Sequence, residues 1–111
     1  MSGEGMRYGA KQIEAMSTEE LLAAYKETGQ QELKWPLVLR YQELVKRIAL
    51  QIRGIYSSFA QLDDVINEGI LTLLDAVDKY DPDKGIKFET YVTKRIRGMV
   101  IDLARRQDWT P

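Results

Sequence analysis

Residues 63–106 read DDVINEGILTLLDAVDKYDPDKGIKFETYVTKRIRGMVIDLARR. They divide at Asp81-Pro82-Asp83-Lys84-Gly85, where proline presets φ and glycine permits a positive one, so a turn is expected there. From Leu62 to Asp83 there are seven carboxylates against Lys79 alone, about six net negative charges. From Lys84 to Gln107 there are seven cations against Glu89 and Asp102, about five net positive charges. The blocks cancel in a chain of net charge −1, so bulk composition hides what local charge reveals. Each half has helical periodicity. At 100° per residue, Val65, Ile66, Gly69, Ile70, Leu73, Leu74, Val77 and Tyr80 share one arc. Asp64, Asn67, Glu68, Leu71, Asp75, Asp78 and Lys79 share the other. After the turn, Phe88, Val92, Ile96, Met99, Val100 and Leu103 form an apolar arc. Thr90, Tyr91, Lys94, Arg97, Gly98 and Arg105 face away from it, with Arg95 at the border. This predicts two amphipathic helices, one with an acidic outer face and one with a basic outer face. The acidic helix is expected to follow directly on Leu62 or Asp63, with acids in its first turn facing the positive end of the helix dipole.

Upstream, Ser17 and Glu20 are spaced as a capping box, and Gly29 suits the left-handed residue that ends a helix. Leu21, Leu22, Ala24 and Tyr25 give that helix its apolar stripe. A second helix is expected from about Gln31 or Pro36 to Tyr56, with Pro36 at its start or at a kink. Leu37, Tyr41, Leu44, Val45, Ile48 and Ile52 face its core, and Arg40, Glu43, Lys46, Arg47 and Arg53 face away. Gly54 and Tyr56-Ser57-Ser58 read as the following loop. Residues 1–16 are weakly periodic and read as a flexible leader. The expected fold is therefore all-α, a compact bundle of about four helices over residues 17–111. The abrupt Asp108-Trp109-Thr110-Pro111 ending suggests truncation of something longer.

Composition narrows the chemistry. An apolar share of 44% is enough for one core. Without cysteine there is no disulfide framework, and without histidine the commonest metal ligand and neutral-pH acid/base are both missing. No run approaches the roughly 20 apolar residues of a membrane span, and the N-terminus has no signal-peptide core, so a cytoplasmic protein is expected. The Asp81-Pro82-Asp83-Lys84-Gly85 order faintly mimics a calcium loop, but the twelfth position is Val92 where a glutamate is needed. No glycine-rich phosphate loop or nucleophile set is present. The expectation is a non-enzyme with no metal and no cofactor.

Two surfaces carry the functional signal. Leu71 stands among carboxylates, an apolar centre in a charged rim, as protein interfaces often show. Single-stranded nucleic acid needs cations to follow phosphates and aromatic faces on which bases stack. Lys87, Lys94, Arg95, Arg97 and Arg105 supply the first; Phe88, Tyr91 and Trp109 are candidates for the second.

The blocks Asp64-Val65-Ile66-Asn67-Glu68-Gly69, Leu73-Leu74-Asp75-Ala76-Val77-Asp78-Lys79-Tyr80-Asp81-Pro82, Gly85-Ile86-Lys87-Phe88-Glu89-Thr90-Tyr91 and Arg95-Ile96-Arg97-Gly98 occur in this order. Together they resemble the second conserved region of bacterial RNA polymerase sigma factors. The ending through Asp108-Trp109-Thr110-Pro111 is most similar to the flagellar/motility and sporulation branch. The resemblance implies that Asp64, Asn67 and Glu68, with Leu71 and Leu74 as apolar partners, dock on the clamp coiled coil of the polymerase β′ subunit. It implies that Lys87, Phe88, Thr90, Tyr91, Lys94, Arg95 and Arg97 open the promoter minus-ten element and hold its non-template strand. Tyr91 occupies the position that stacks on a flipped adenine. An anti-sigma factor is a further implied partner. Housekeeping members carry paired tryptophans where this chain has Lys94-Arg95, which points to an alternative sigma factor whose wedge is cationic or supplied elsewhere. Asn67 is one carbon shorter than the usual glutamine. The other reading is a helical protein–protein adaptor whose basic helix does not bind DNA.

Overall fold

A computed structural model describes residues 7–52 and 59–106, with the side chains of residues 59–61 left aside. Every regular element among the described residues is helical. The chain divides into two units, Met1–Arg40 and Tyr41–Pro111.

The first unit holds α1 (Ala10–Ala15), α2 (Thr18–Thr28) and α3 (Gln31–Arg40). Ser17 caps α2 as its spacing predicts. Its hydroxyl accepts from the Glu20 amide at 3.0 Å, and the Glu20 carboxylate accepts from the Ser17 amide at 2.8 Å. Gly29 closes the helix at φ 71°, its amide donating to the Tyr25 carbonyl. Leu21, Leu22, Ala24 and Tyr25 are buried. The Ser17→Ala variant should lose about 1 kcal/mol of stability, read as a lowered thermal midpoint.

Residues 10–15 of the stretch read as a leader form α1, whose Ile13 is buried. Gln30 explains how this segment is held. Its buried amide accepts from the Tyr8 N–H at 2.8 Å and donates to the Tyr8 carbonyl at 2.9 Å. Arg40 adds a bond to the Met16 carbonyl at 2.7 Å. These ties run from residues far along the chain, so no local pattern announces them.

The helix expected to start at Gln31 or Pro36 starts at Gln31 and divides in two. Pro36 lies inside α3 and does not open it. Its missing amide leaves the Glu32 carbonyl without the usual partner, in an exposed first turn where water can satisfy it. The break falls at Tyr41, whose backbone (φ −103°, ψ 5°) leaves the helical region, and α4 follows as Gln42–Gln51. Arg53, the Gly54 break and the Tyr56–Ser58 loop lie outside the described residues, as do residues 1–6 and Trp109 with the Asp108–Pro111 ending.

The second unit packs α4 against α5 (Phe59–Lys79) and α6 (Phe88–Arg106), and all three pairs touch. Val45, Ile48 and Ala49 from α4 are buried, with Val65, Leu73, Ala76 and Val77 from α5. Phe88, Val92, Ile96, Val100 and Leu103 complete the core from α6. Each wholly buried aliphatic side chain contributes about 1.5–3 kcal/mol. Burial follows the expected arcs in the main, but Ala76, outside the expected arc of α5, is buried, and Tyr91, expected to face outward, is half-buried. One boundary differs, because α5 begins at Phe59, before the expected Leu62 or Asp63. Ala60, Gln61 and Leu62 are good helix formers with no breaker among them, so the helix extends backwards and its first turn carries no acid. Asp63 and Asp64 sit one turn further in, so the expected dipole contact is not made there.

At Gly69, α4 and α5 approach closely. A Cβ placed on it would lie 2.5 Å and 2.9 Å from the two methyls of Val45. The turn between α5 and α6 is a 3-10 helix, Pro82–Lys84. The Asp81 carboxylate accepts from the Asp83 amide at 2.9 Å, and Gly85 takes φ 77°. The Tyr80 hydroxyl spans this turn and donates to the Ile86 carbonyl.

Candidate functional site

The outer side of α5 carries the acidic stripe. Asp63, Asp64 and Asn67 are exposed and Glu68 is half-buried. Leu71 stands 61% exposed among them, while Leu74 is half-buried. Because α5 buries the opposite arc, these carboxylates are turned away from their own core. Asp75, on the same stripe, is the exception. Its carboxylate accepts from Arg95 of α6 at 2.6 Å and pairs with Lys79 at 3.3 Å. The Arg95 hydrogen bond holds the Asp75 carboxyl below its usual range, with Lys79 assisting against partial burial. Asp75 raises the Arg95 guanidinium in return. A lowered carboxyl keeps its ion pair above the ordinary carboxylate range and loses it only as pH falls through the lowered value. The Asp75–Arg95 link is therefore complete throughout neutral and mildly acidic conditions.

The outer side of α6 carries the cations. Lys87, Thr90, Lys94, Arg97 and Arg105 are exposed. Among the described residues, Lys94 and Arg97 make no ion pair, so both charges face solvent. Arg105 stands with Arg95, Gly98, Met99 and Asp102 around a shallow hollow of about 430 Å³ against Thr72 of α5. Gly98 opens into this space, since a Cβ there would meet nothing within 4 Å.

Two residues of the expected nucleic-acid set differ from their sequence reading. Phe88 is only 7% exposed, and its ring packs edge-on against Tyr41 and Tyr80, with centroids 5.6 Å and 5.1 Å away. It belongs to the core, as its helical phase implies, and offers no face to a base. Arg95 is turned towards Asp75 and Tyr91 and not freely outward. Its Nη1 donates to the Tyr91 hydroxyl at 2.9 Å. The guanidinium carbon also lies over the Tyr91 ring, 5.7 Å from its centroid, so Arg95 engages the hydroxyl and the π system together. Tyr91 is half-buried, with Tyr80 beside it at 5.5 Å. Sequence reasoning missed Asp75–Arg95–Tyr91 as a unit. The signal was present in part, since Tyr91 and Arg95 are four apart on one helix, but the α5 partner lies twenty residues away.

No group of three or more Cys, His, Asp or Glu among the described residues is placed to hold a metal ion. No helix among them is long and apolar enough to cross a membrane.

A helical unit with an exposed acidic stripe on one helix and an exposed basic face on the next matches a known family over most of its length. Residues 37–110 match the Sigma-70 region 2 family model, and the chain belongs to that family. Among curated relatives it is similar to the RNA polymerase sigma factor FliA of Pseudomonas aeruginosa, 41% identical over 87 residues, which are 78% of this chain and 35% of that protein. FliA of Salmonella typhimurium is 41% identical over 78 residues, 70% of this chain and 33% of that protein. The RNA polymerase sigma-D factor of Bacillus subtilis is 40% identical over 75 residues, 68% of this chain and 30% of that protein. The chain spans about one third of the length of these relatives. The similarity to FliA and sigma-D agrees with the flagellar branch named by the sequence resemblance.

Proposed function

We propose that this chain is the polymerase-binding and strand-holding part of an alternative sigma factor of the flagellar branch. The acidic stripe of α5, with Asp64, Asn67, Glu68, Leu71 and Leu74, docks on the basic clamp coiled coil of the polymerase β′ subunit. The basic face of α6, with Lys87, Thr90, Tyr91, Lys94, Arg97 and Arg105, holds the non-template strand of the minus-ten element. The chain does no chemistry itself; it adds promoter selectivity to a polymerase that does. One observation carries this reading. Within a unit of the Sigma-70 region 2 family, the apolar arcs of α5 and α6 are buried while Asp64, Lys94 and Arg97 stay exposed. An anti-sigma factor that covers either face is a further partner of this reading, testable by titrating a candidate inhibitor.

Strand opening tests it. With core polymerase present, Tyr91→Ala and Arg97→Ala should each reduce permanganate reactivity of thymines in a cognate minus-ten element. For Tyr91→Ala the loss should be roughly 5- to 150-fold in strand affinity, the worth of one stacked base. Binding to the single strand should weaken with salt by about 0.7 log units per log of salt for each neutralised phosphate. Normal footprints in both variants would remove these residues from the site. A DNA affinity insensitive to salt would favour the adaptor reading.

A further inference from the structure

Charge alone assigns Arg95 to the nucleic-acid backbone beside Lys94 and Arg97. The geometry gives it another task. Its two terminal nitrogens are both engaged, Nη2 with Asp75 of α5 at 2.6 Å and Nη1 with the Tyr91 hydroxyl at 2.9 Å. Its side chain is 31% exposed, less than that of any other ion-paired cation among the described residues. The anchor is itself fixed. Asp75 projects from α5 between the buried residues Leu73 and Ala76, and Lys79 one turn on holds the same oxygen. The link therefore runs from a packed helix, through a planar fork, to one hydroxyl.

We infer that Arg95 is a positioning residue for Tyr91, anchored by Asp75, and not a contact to the phosphate backbone. This rests on the reading above that Tyr91 receives an unpaired base. A tyrosine ring can stack only if its face is held towards the strand. Here Arg95 holds the ring twice, by a hydrogen bond to its hydroxyl and by its guanidinium over the ring at 5.7 Å from the centroid, and Tyr80 packs beside it. Arg suits the role because its rigid fork presents two donors in a plane, which a lysine ammonium does not. A ring released from Arg95 has to be ordered at the moment of binding, and part of the stacking affinity is lost to that ordering.

Asp75→Asn separates positioning from simple electrostatics by its sign. Removing a negative charge next to a nucleic-acid site tightens binding if only the field matters. If Asp75 holds Arg95 in place, the same change weakens binding. The measurement is the affinity of the chain, assembled with core polymerase, for a fluorescent single-stranded minus-ten oligonucleotide across a salt series, with thermal melts to check folding. The expected result is a loss of about three- to tenfold for Asp75→Asn with an unchanged salt slope. Arg95→Lys should show a similar loss although it keeps the charge, and Asp75→Glu should recover part of it. In a Tyr91→Ala background neither change should matter further. Tighter or unaltered binding by Asp75→Asn overturns the inference. So does a salt slope lowered by about 0.7 in Arg95→Gln whether or not Tyr91 is present, since that marks a direct phosphate contact. If Tyr91→Ala alone leaves affinity unchanged, the strand-holding role of this face falls, and the inference with it.

Discussion

Reversing Asp64 and Glu68 together to lysine should cut the affinity of this chain for the β′ clamp coiled coil by roughly 30- to 1000-fold. Like charges brought face to face across an interface cost several kcal/mol, and each 1.4 kcal/mol is tenfold. Asp64 is exposed and Glu68 half-buried, one turn apart on α5, with Leu71 at 61% exposure on the same stripe. An apolar centre that loses water on docking makes the flanking charges count for more than an exposed pair, which is worth only about 0–1 kcal/mol. Asp75 should contribute less, because Arg95 and Lys79 already hold its carboxylate. Titration of the isolated clamp coiled coil at moderate salt measures the effect. Glu89→Lys serves as the comparison, since Glu89 is an exposed acid on α6, away from the stripe. If the double reversal weakens binding no more than Glu89→Lys does, the acidic stripe is not the docking surface.

The second large effect concerns alanine placed at two mid-helix glycines. Gly69→Ala should destabilise the protein by about 1–2 kcal/mol, although alanine is the better helix former by about 1 kcal/mol. The added carbon would meet the Val45 methyls at 2.5 Å and 2.9 Å and the Val45 Cβ at 3.2 Å. Valine is stiff at χ1, so it cannot swing aside, and α4 and α5 have to separate. Gly98→Ala should stabilise by up to about 1 kcal/mol, because it is also mid-helix but opens into empty space. Thermal midpoints should move in opposite directions, by roughly 4–8 °C per kcal/mol at this size. Val45→Ala should cost less in the Gly69→Ala background than alone, because the two sites share one contact. Equal shifts of the same sign for the two glycines would show that the close approach at Gly69 is not what limits that position.

Periodicity made the second unit legible. The arcs of α5 and α6 came from apolar residues at helical spacing, and burial follows them from Val65 to Val77 and from Phe88 to Leu103. Local chemistry was equally readable. Ser17, Glu20, Gly29, Asp81 and Gly85 each act within three or four residues of themselves. What was hidden depends on partners distant in sequence. Gln30 reaches back to Tyr8, and Arg95 reaches to Asp75. Phe88 shows where a resemblance and a helical phase disagreed and the phase decided, since a ring between Tyr41 and Tyr80 cannot also lie on the surface. The start of α5 was misplaced because an acidic pair looks like a first turn, while Ala60-Gln61-Leu62 gives the helix no reason to stop before Phe59.

The link from Lys79 to Phe88 is tied down along its length, by the Asp81 carboxylate, the left-handed Gly85 and the Tyr80 hydroxyl on Ile86. A joint braced in this way behaves as a mitred corner. On the proposed reading, the enzyme on one arm and the melted strand on the other are held at one spacing. On the same reading, tolerance for differing promoters falls to the long side chains of the lysines and arginines, which have more rotatable bonds than the braced turn.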